Sequence, residues 1–137
     1  MLKIDLLIER DLAPADESFI YATWLRGLRY GNSWFERIDE TLYFENYRQV
    51  VRALLASCQV KIACLKETPD VIIGYSVSDG PRLHWVHVKE NWRRMGIATD
   101  LLPKDFSCYS HLTKVGIEIL KNHKTLIFNP FLTGGNS

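Results

Sequence analysis

Long apolar runs are missing from this chain of 137 residues: no stretch approaches the roughly 18 apolar residues that a membrane-spanning helix needs. Cysteine is scarce, and the three that occur (Cys58, Cys64 and Cys108) are odd in number and form no CxxC pair. We therefore expect no membrane segment, no disulfide framework, no metal site and a reducing, cytoplasmic compartment. The N-terminus carries an early acid, Asp5, and no small-residue cleavage site, so we expect no secretory leader.

A large excess of charge is missing as well. The net charge is +1, which does not favour a nucleic-acid partner. Residues 1–50 nevertheless hold nine acids and six Lys or Arg, whereas residues 51–137 hold seven acids and eleven Lys or Arg. This asymmetry indicates an anionic ligand on one side of the domain and a cationic ligand on the other, with functionless uneven surface charge as an equal alternative.

Apolar residues are present in ordinary measure, at 47% of the chain, with 24% charged. That suffices for one compact core and is too little for two. We predict a single domain over residues 1–137 with a flexible tail at about 133–137, where the sequence reads Thr-Gly-Gly-Asn-Ser.

Periodicity divides the chain into a helical and an extended part. A short strand is expected at Ile4–Glu9, followed by a helix that Asp11 caps and that carries Ile20, Trp24 and Leu28 on one face. A second helix is expected from a cap at Asp39 to about Ser57. The period of the hydrophobic pattern then changes to two residues. This predicts an antiparallel meander of three strands at Val60–Leu65, Val71–Val77 and Arg82–Val88.

The remaining elements are shorter. A helix is expected at Ile97–Leu102, where Pro103 must disturb it. Weaker patterns suggest a strand at Cys108–Leu112, a helix at Lys114–Lys121 and a strand at Leu126–Phe128. The order predicts a mixed α/β (α+β) sheet with helices on its faces, two of them after the first strand.

The junction between the third meander strand and the next helix is typical of an anion site. Gly96 permits close backbone approach, Ala98 leaves room for a ligand, and Arg93 and Arg94 add positive charge. The glycine spacing matches neither a Walker loop nor a dinucleotide fingerprint. An ordinary strand–helix junction with a solvated arginine pair explains the same residues equally well.

The stretch Arg93-Arg94-Met95-Gly96-Ile97-Ala98 resembles the Q/R-x-x-G-x-G/A signature of the GNAT superfamily of acetyl-CoA-dependent N-acetyltransferases. Val86 and Val88 precede it at a strand end, and the order of elements over residues 4–112 is also similar. The resemblance implies a GNAT-like fold and acetyl-CoA as cosubstrate. It implies that the main chain of Val86 and Val88 pairs with the pantetheine arm, and that the cofactor-binding loop comprises Arg93, Arg94, Met95, Gly96, Ile97, Ala98 and Thr99.

The family's catalytic groups have only partial counterparts. The usual Asn and the general-acid Tyr have none in residues 110–118. The nearest phenol, Tyr109, lies on an expected strand and is the second catalytic candidate. The serotonin N-acetyltransferases carry two histidines on the strand before the loop, and these positions fall on Arg82 and His84. His84 is therefore the candidate base, with a half-buried, hydrogen-bonded strand histidine as the alternative. His87 should face the opposite side and be structural.

Aromatic residues are concentrated around the first two helices, which form the walls of the acceptor site in the GNAT family. Together with the acids Glu36, Asp39, Glu40 and Glu45 they favour a cationic or aromatic amine, unless they are core packing and a solvated acidic face. We predict an N-acetyltransferase that acts by direct transfer in a ternary complex on a small-molecule or protein amine. The alternative is a GNAT-fold protein without catalysis that binds or supports a partner. A homodimer is left open.

Overall fold

A single six-stranded sheet forms the centre of the chain in a computed structural model, which describes residues 2, 4–31, 33–111 and 127–130. The strands lie side by side in chain order, antiparallel from β1 to β4 and parallel from β4 to β6. Their bounds are β1 Leu7–Asp11, β2 Gln59–Leu65, β3 Ile72–Asp79, β4 Arg82–Val88, β5 Cys108–Tyr109 and β6 Ile127–Phe128. The predicted mixed α/β sheet and its antiparallel meander are confirmed.

In the described part of the chain three α-helices accompany the sheet: α1 Glu17–Tyr30, α2 Glu40–Ser57 and α3 Ile97–Leu101. The predicted cap of α2 is confirmed, since the Asp39 carboxylate accepts a hydrogen bond from the Leu42 N–H at 3.1 Å. The short α3 ends where expected, because Leu102 takes an extended conformation before Pro103. None of the described helices is long and apolar enough to cross a membrane.

The two faces of the sheet bury different side chains. The larger core packs α1 and α2 against one face and contains the predicted stripe of Ile20, Trp24 and Leu28, each fully buried. The smaller core lies on the other face, where Ile97 and Leu101 of α3 are packed. Because neighbouring residues of a strand point to opposite faces, this division fixes which residues of β4 meet α1 and which meet α3.

A bulge interrupts the pairing of β4 with β3. Val77 lies opposite Trp85, but the next residue, Ser78, lies opposite Leu83, so β4 contains one residue more than its partner. That extra residue breaks the two-residue alternation between Leu83 and Trp85. The expectation that His84 lies beside Val86 and Val88 at the site rested on unbroken alternation; His84 is instead the unpaired extra residue, and its side chain bonds Ser110.

The start of α1 differs from the sequence prediction. The expected cap, Asp11, is the last residue of β1; the residue before α1 is Asp16, whose side chain bonds no N–H of that helix. The Asp16 carboxylate accepts the Ala13 N–H at 2.7 Å and forms a two-pronged ion pair with Arg10 at 2.7 and 2.8 Å. The pair ties the end of β1 to the entry of α1, six residues further along the chain.

Asp16→Asn is expected to lower the free energy of unfolding by about 2 kcal/mol at pH 7, because it removes a charge-assisted pair at a carboxylate that is only 5% exposed. The Arg10 guanidinium holds the pKa of Asp16 below its usual value. The pair therefore contributes its full stability above the unfolded-state pKa of about 3.9 and loses it as the pH falls through the lower folded-state pKa.

Urea unfolding of wild type, Asp16→Asn and the control Asp11→Asn, which changes an exposed acid of β1, checks this between pH 7 and pH 2. The stability gap between wild type and Asp16→Asn should close at the acid end. A gap that persists unchanged at pH 2, or an equal effect of Asp11→Asn, would contradict the assignment.

Several expected elements are shortened or lie outside the described residues. The strand expected at Cys108–Leu112 comprises Cys108–Tyr109, and the last strand comprises Ile127–Phe128. The helix expected at Lys114–Lys121 and the tail at 133–137 fall wholly outside the described part of the chain.

Candidate active site

A cleft of about 860 Å³ opens between α1, the second half of β4 and the segment that leads into α3. It exists because β4 and β5 separate. Pairing between them ends at Leu83, whose carbonyl accepts the Ser110 N–H at 3.0 Å, and β4 continues for five more residues without β5 beside it. The second half of β4 therefore borders the cleft.

The bulge turns the free main-chain groups of β4 toward this opening. The Lys89 N–H donates to the Ile73 carbonyl of β3 at 2.8 Å, so alternate residues back along the strand, His87 and Trp85, face β3 as well. The N–H and C=O groups of Val86 and Val88 are thereby directed to the other edge. The Val88 carbonyl accepts a hydrogen bond from Arg93 Nε at 2.9 Å, which fixes the first residue of the loop.

The loop after β4 is shaped by two left-handed residues. Arg94 has φ +66°, a conformation that costs a non-glycine residue energy, and Gly96 has φ +84°. A Cβ built on Gly96 would meet no atom within 4 Å, so the loop is open to the cleft at this point. Glycine is required here by the backbone conformation rather than by crowding.

The wall of the cleft opposite the loop is formed by α1, which packs closely on β4. Trp24 of α1 stacks on Trp85 of β4, with ring centroids 5.5 Å apart and planes 7° from parallel. A Cβ on Gly27 would stand 3.0 Å from the Trp85 ring, so glycine permits this contact. The cleft residues of α1 follow helical spacing and are Ala22, Thr23, Arg26, Gly27 and Tyr30.

Most of the residues predicted to bind cofactor meet in this cleft. Of the nine, only Met95 is not among the lining residues, and its side chain is half exposed. The lining members are Val86, Val88, Arg93, Arg94, Gly96, Ile97, Ala98 and Thr99. A continuous strand, loop and helix start thus bring them together, as the motif predicts.

The two catalytic candidates lie elsewhere. His84 is 3% exposed and does not line the cleft; its Nδ1 lies 2.7 Å from Ser110 Oγ, which in turn lies 2.7 Å from His111 Nδ1. The Ser110 hydroxyl can donate to one ring and accept from the other, and burial lowers the pKa of both histidines, to about 4 for His111. Tyr109 pairs with Leu83 and stacks on Phe128.

His87 lines the cleft instead; its side chain faces the side of the sheet opposite to Val86 and Val88, as predicted. Its ring packs against Phe19 and Tyr75, with centroids 6.0 and 5.7 Å away. Burial, with Arg93 and Lys89 nearby, lowers its pKa to about 4, so the imidazole is neutral at physiological pH. His87 and the α1 residues carried no motif, and their place at the cleft depends on how α1 packs against β4.

The acids expected around the acceptor site do not reach it. Glu36 precedes α2, and Asp39, Glu40 and Glu45 belong to its cap and its exposed side; none of the four lines the cleft. The helical stripe of α1 faces the cleft in their place. Among the described residues no group of three or more His, Cys, Asp or Glu side chains could share a metal ion.

Comparisons with known proteins identify the fold. No protein-family model and no curated protein matches the sequence. Among solved structures, YjaB from Escherichia coli in its apo form matches with a TM-score of 0.50 at 16% identity, over 69% of this chain and 60% of that one. A GCN5-related N-acetyltransferase from Rhodopseudomonas palustris, also described as a class-II aminotransferase, matches with a TM-score of 0.50 at 16% identity, over 74% and 64%.

These likenesses confirm the GNAT-like fold that the motif suggested. The matched part spans less than two thirds of each of the two proteins. The chain therefore has the fold of the GCN5-related N-acetyltransferases.

Proposed function

We propose that this protein binds acetyl-CoA in the cleft and transfers the acetyl group directly to an amine. The observation that carries the proposal is the juxtaposition of the outward-facing main chain of Val86 and Val88 with the open Gly96 loop in one continuous cleft. An extended amide-bearing arm can pair with such a strand edge, as any added strand would. The loop at the end of that edge suits the pyrophosphate.

The residues of the loop fit an anion chemically. Arg93 and Arg94 are exposed cations at its start, and Arg93 is already oriented by its bond to the Val88 carbonyl. Gly96 and Ala98 present little side-chain bulk, so a phosphate group can approach the backbone N–H groups closely. Acetyl-CoA bound here supplies an activated thioester; the chain's own task is to hold it and to orient the acceptor.

The amine must lose a proton before it attacks, and no carboxylate is among the described residues that line the cleft to take that proton. The neutral amine is therefore drawn from solution, where its fraction is set by the pH and by the pKa of the free amine. His87, with a pKa of about 4, is too weak a base to drive this step, but its neutral ring can accept a hydrogen bond and orient the amine. His84 and Tyr109 take no part in this proposal.

The pH dependence of the reaction distinguishes this mechanism from catalysis by a histidine base. We expect kcat/KM to rise with pH and to level off near the pKa of the free amine, so the midpoint should shift when amines of different pKa are compared. A midpoint fixed between pH 6 and 7 for every amine, and lost in His84→Gln, would restore His84 as the general base.

A second function, acetyl-CoA binding without catalysis, is favoured by one observation: neither predicted catalytic side chain lines the cleft. Calorimetric titration with acetyl-CoA and thiol release with a panel of amines separate the two. Binding with turnover supports the proposed transferase, and binding without turnover for any amine supports the second function. Absence of acetyl-CoA binding would overturn both.

A further inference from the structure

The wall that α1 contributes to the cleft carries a cation at the end farther from the loop. Arg26 and Tyr30 line the cleft, whereas no Asp or Glu occurs among the described residues that line it. Both side chains are exposed, and no described carboxylate forms an ion pair with Arg26. Within the described residues Arg26 therefore presents a guanidinium without an ion-pair partner to the cleft.

Position along β4 separates Arg26 from the loop arginines. Gly27, next to Arg26, packs against the Trp85 ring, while Arg93 bonds the carbonyl of Val88. Trp85 and Val88 are three residues apart on an extended strand, so about 10 Å separates these two contacts along β4. Helix α1 runs antiparallel to β4. Its start lies near the end of the strand, because the Phe19 ring packs on His87 and its centroid lies 5.4 Å from the Lys89 ammonium nitrogen.

The charge of the cleft is thus positive at both ends. Arg93 and Arg94 stand where the proposed pyrophosphate would be neutralised, which leaves Arg26 for a different anion. Between them the cleft wall is apolar or neutral, because His87 is uncharged at physiological pH. A cationic ligand group would find no carboxylate among the described residues of the lining, whereas an anion at Arg26 would be attracted by a guanidinium that can form two parallel hydrogen bonds.

We propose that the amine acceptor carries a carboxylate, which pairs with Arg26 at the Trp85 end of the cleft. This assignment rests on the proposed function, and it names the substrate class of the same site. The geometry places the acceptor's anion on α1 and its amine between that anion and the loop. An amino acid or another short amine bearing a carboxylate meets the requirement; a diamine does not.

Three benzylamines that differ only in the para group test the charge requirement. They are 4-(aminomethyl)benzoate, 4-(aminomethyl)benzamide and 1,4-bis(aminomethyl)benzene, with a negative, a neutral and a positive group on the same reacting amine. Calorimetric titration with CoA in excess should give a Kd for the benzoate at least ~10-fold below that of the amide. This is the difference in affinity expected from one charge-assisted hydrogen bond. The diamine should bind most weakly, and the preference should shrink as salt rises.

Two arginine variants locate the contact. Arg26→Gln should abolish the preference for the benzoate and leave the affinity for CoA unchanged. Arg52→Gln removes an exposed cation of α2 that does not line the cleft, and it should keep both the preference and the CoA affinity. Circular dichroism confirms that both variants are folded.

The proposal is overturned if the three compounds bind alike or not at all, if the diamine binds best, or if Arg26→Gln weakens CoA while the preference persists. The last result would assign Arg26 to the cosubstrate. CoA titrated alone tests the proposed function separately. If CoA does not bind, the same titrations without it still decide whether Arg26 selects a carboxylate.

Discussion

Gly96→Glu is expected to reduce the affinity for acetyl-CoA at least ~100-fold while the chain stays folded. The side chain has room, since a Cβ at Gly96 meets no atom within 4 Å, but its carboxylate would stand in the loop proposed to hold the pyrophosphate. Juxtaposed like charges at a binding site cost several kcal/mol. Calorimetry with acetyl-CoA measures the loss.

Two further variants separate charge from backbone strain. Gly80 has φ +57°, also faces open space, and lies in the β3–β4 turn away from the cleft, so Gly80→Glu imposes the same kind of strain with no charge at the loop. It should lose about 1–2 kcal/mol of stability and keep its acetyl-CoA affinity. Gly96→Ala should weaken binding only slightly. Equal affinities for Gly96→Glu and wild type would end the assignment of the loop to pyrophosphate.

Gly74→Val is expected to lower the free energy of unfolding by about 3 kcal/mol, at the upper end of overpacking costs. Strand propensity alone predicts the opposite, because valine favours a strand and glycine does not. In the structure, however, a Cβ on Gly74 would stand 2.6 Å from the His87 carbonyl oxygen and 3.2 Å from a Val88 methyl group. The nearest obstacle is backbone, which cannot rotate away.

Guanidinium unfolding measures this effect, with Gln59→Val as the control. Gln59 is exposed at the start of β2, so its replacement should change stability by no more than about 0.5 kcal/mol. Because β4 must move to admit the new side chain, Gly74→Val should also weaken acetyl-CoA binding. Unchanged stability would show that β3 and β4 are not held this closely.

Local signals in the sequence predicted the individual elements well. The Asp39 cap, the strand Arg82–Val88 and the end of α3 before Pro103 depend on residues close to one another in the chain. The cofactor loop belongs to the same category, since its strand, glycine and helix start occupy one continuous segment. For that reason eight of its nine predicted residues line one cleft.

Residues outside the loop were harder to predict because their surroundings depend on pairing between distant segments. The bulge makes His84 an unpaired extra residue of β4 whose side chain bonds Ser110, while the packing of α1 on β4 puts His87 at the cleft. Alternation counted from the strand end could not reveal the bulge, since a bulge is a property of two strands in register.

By itself, then, the sequence determined the fold class and the proposed cofactor loop, because hydrophobic period, caps and a contiguous motif are short-range information. Tertiary structure alone decided the chemistry of the opposite wall. The acids near α2 stay outside, and Arg26 faces the cleft because Gly27 lets α1 pack directly on Trp85. Close contacts between residues far apart in the chain decide which face of a helix packs on a strand. Composition does not contain this information.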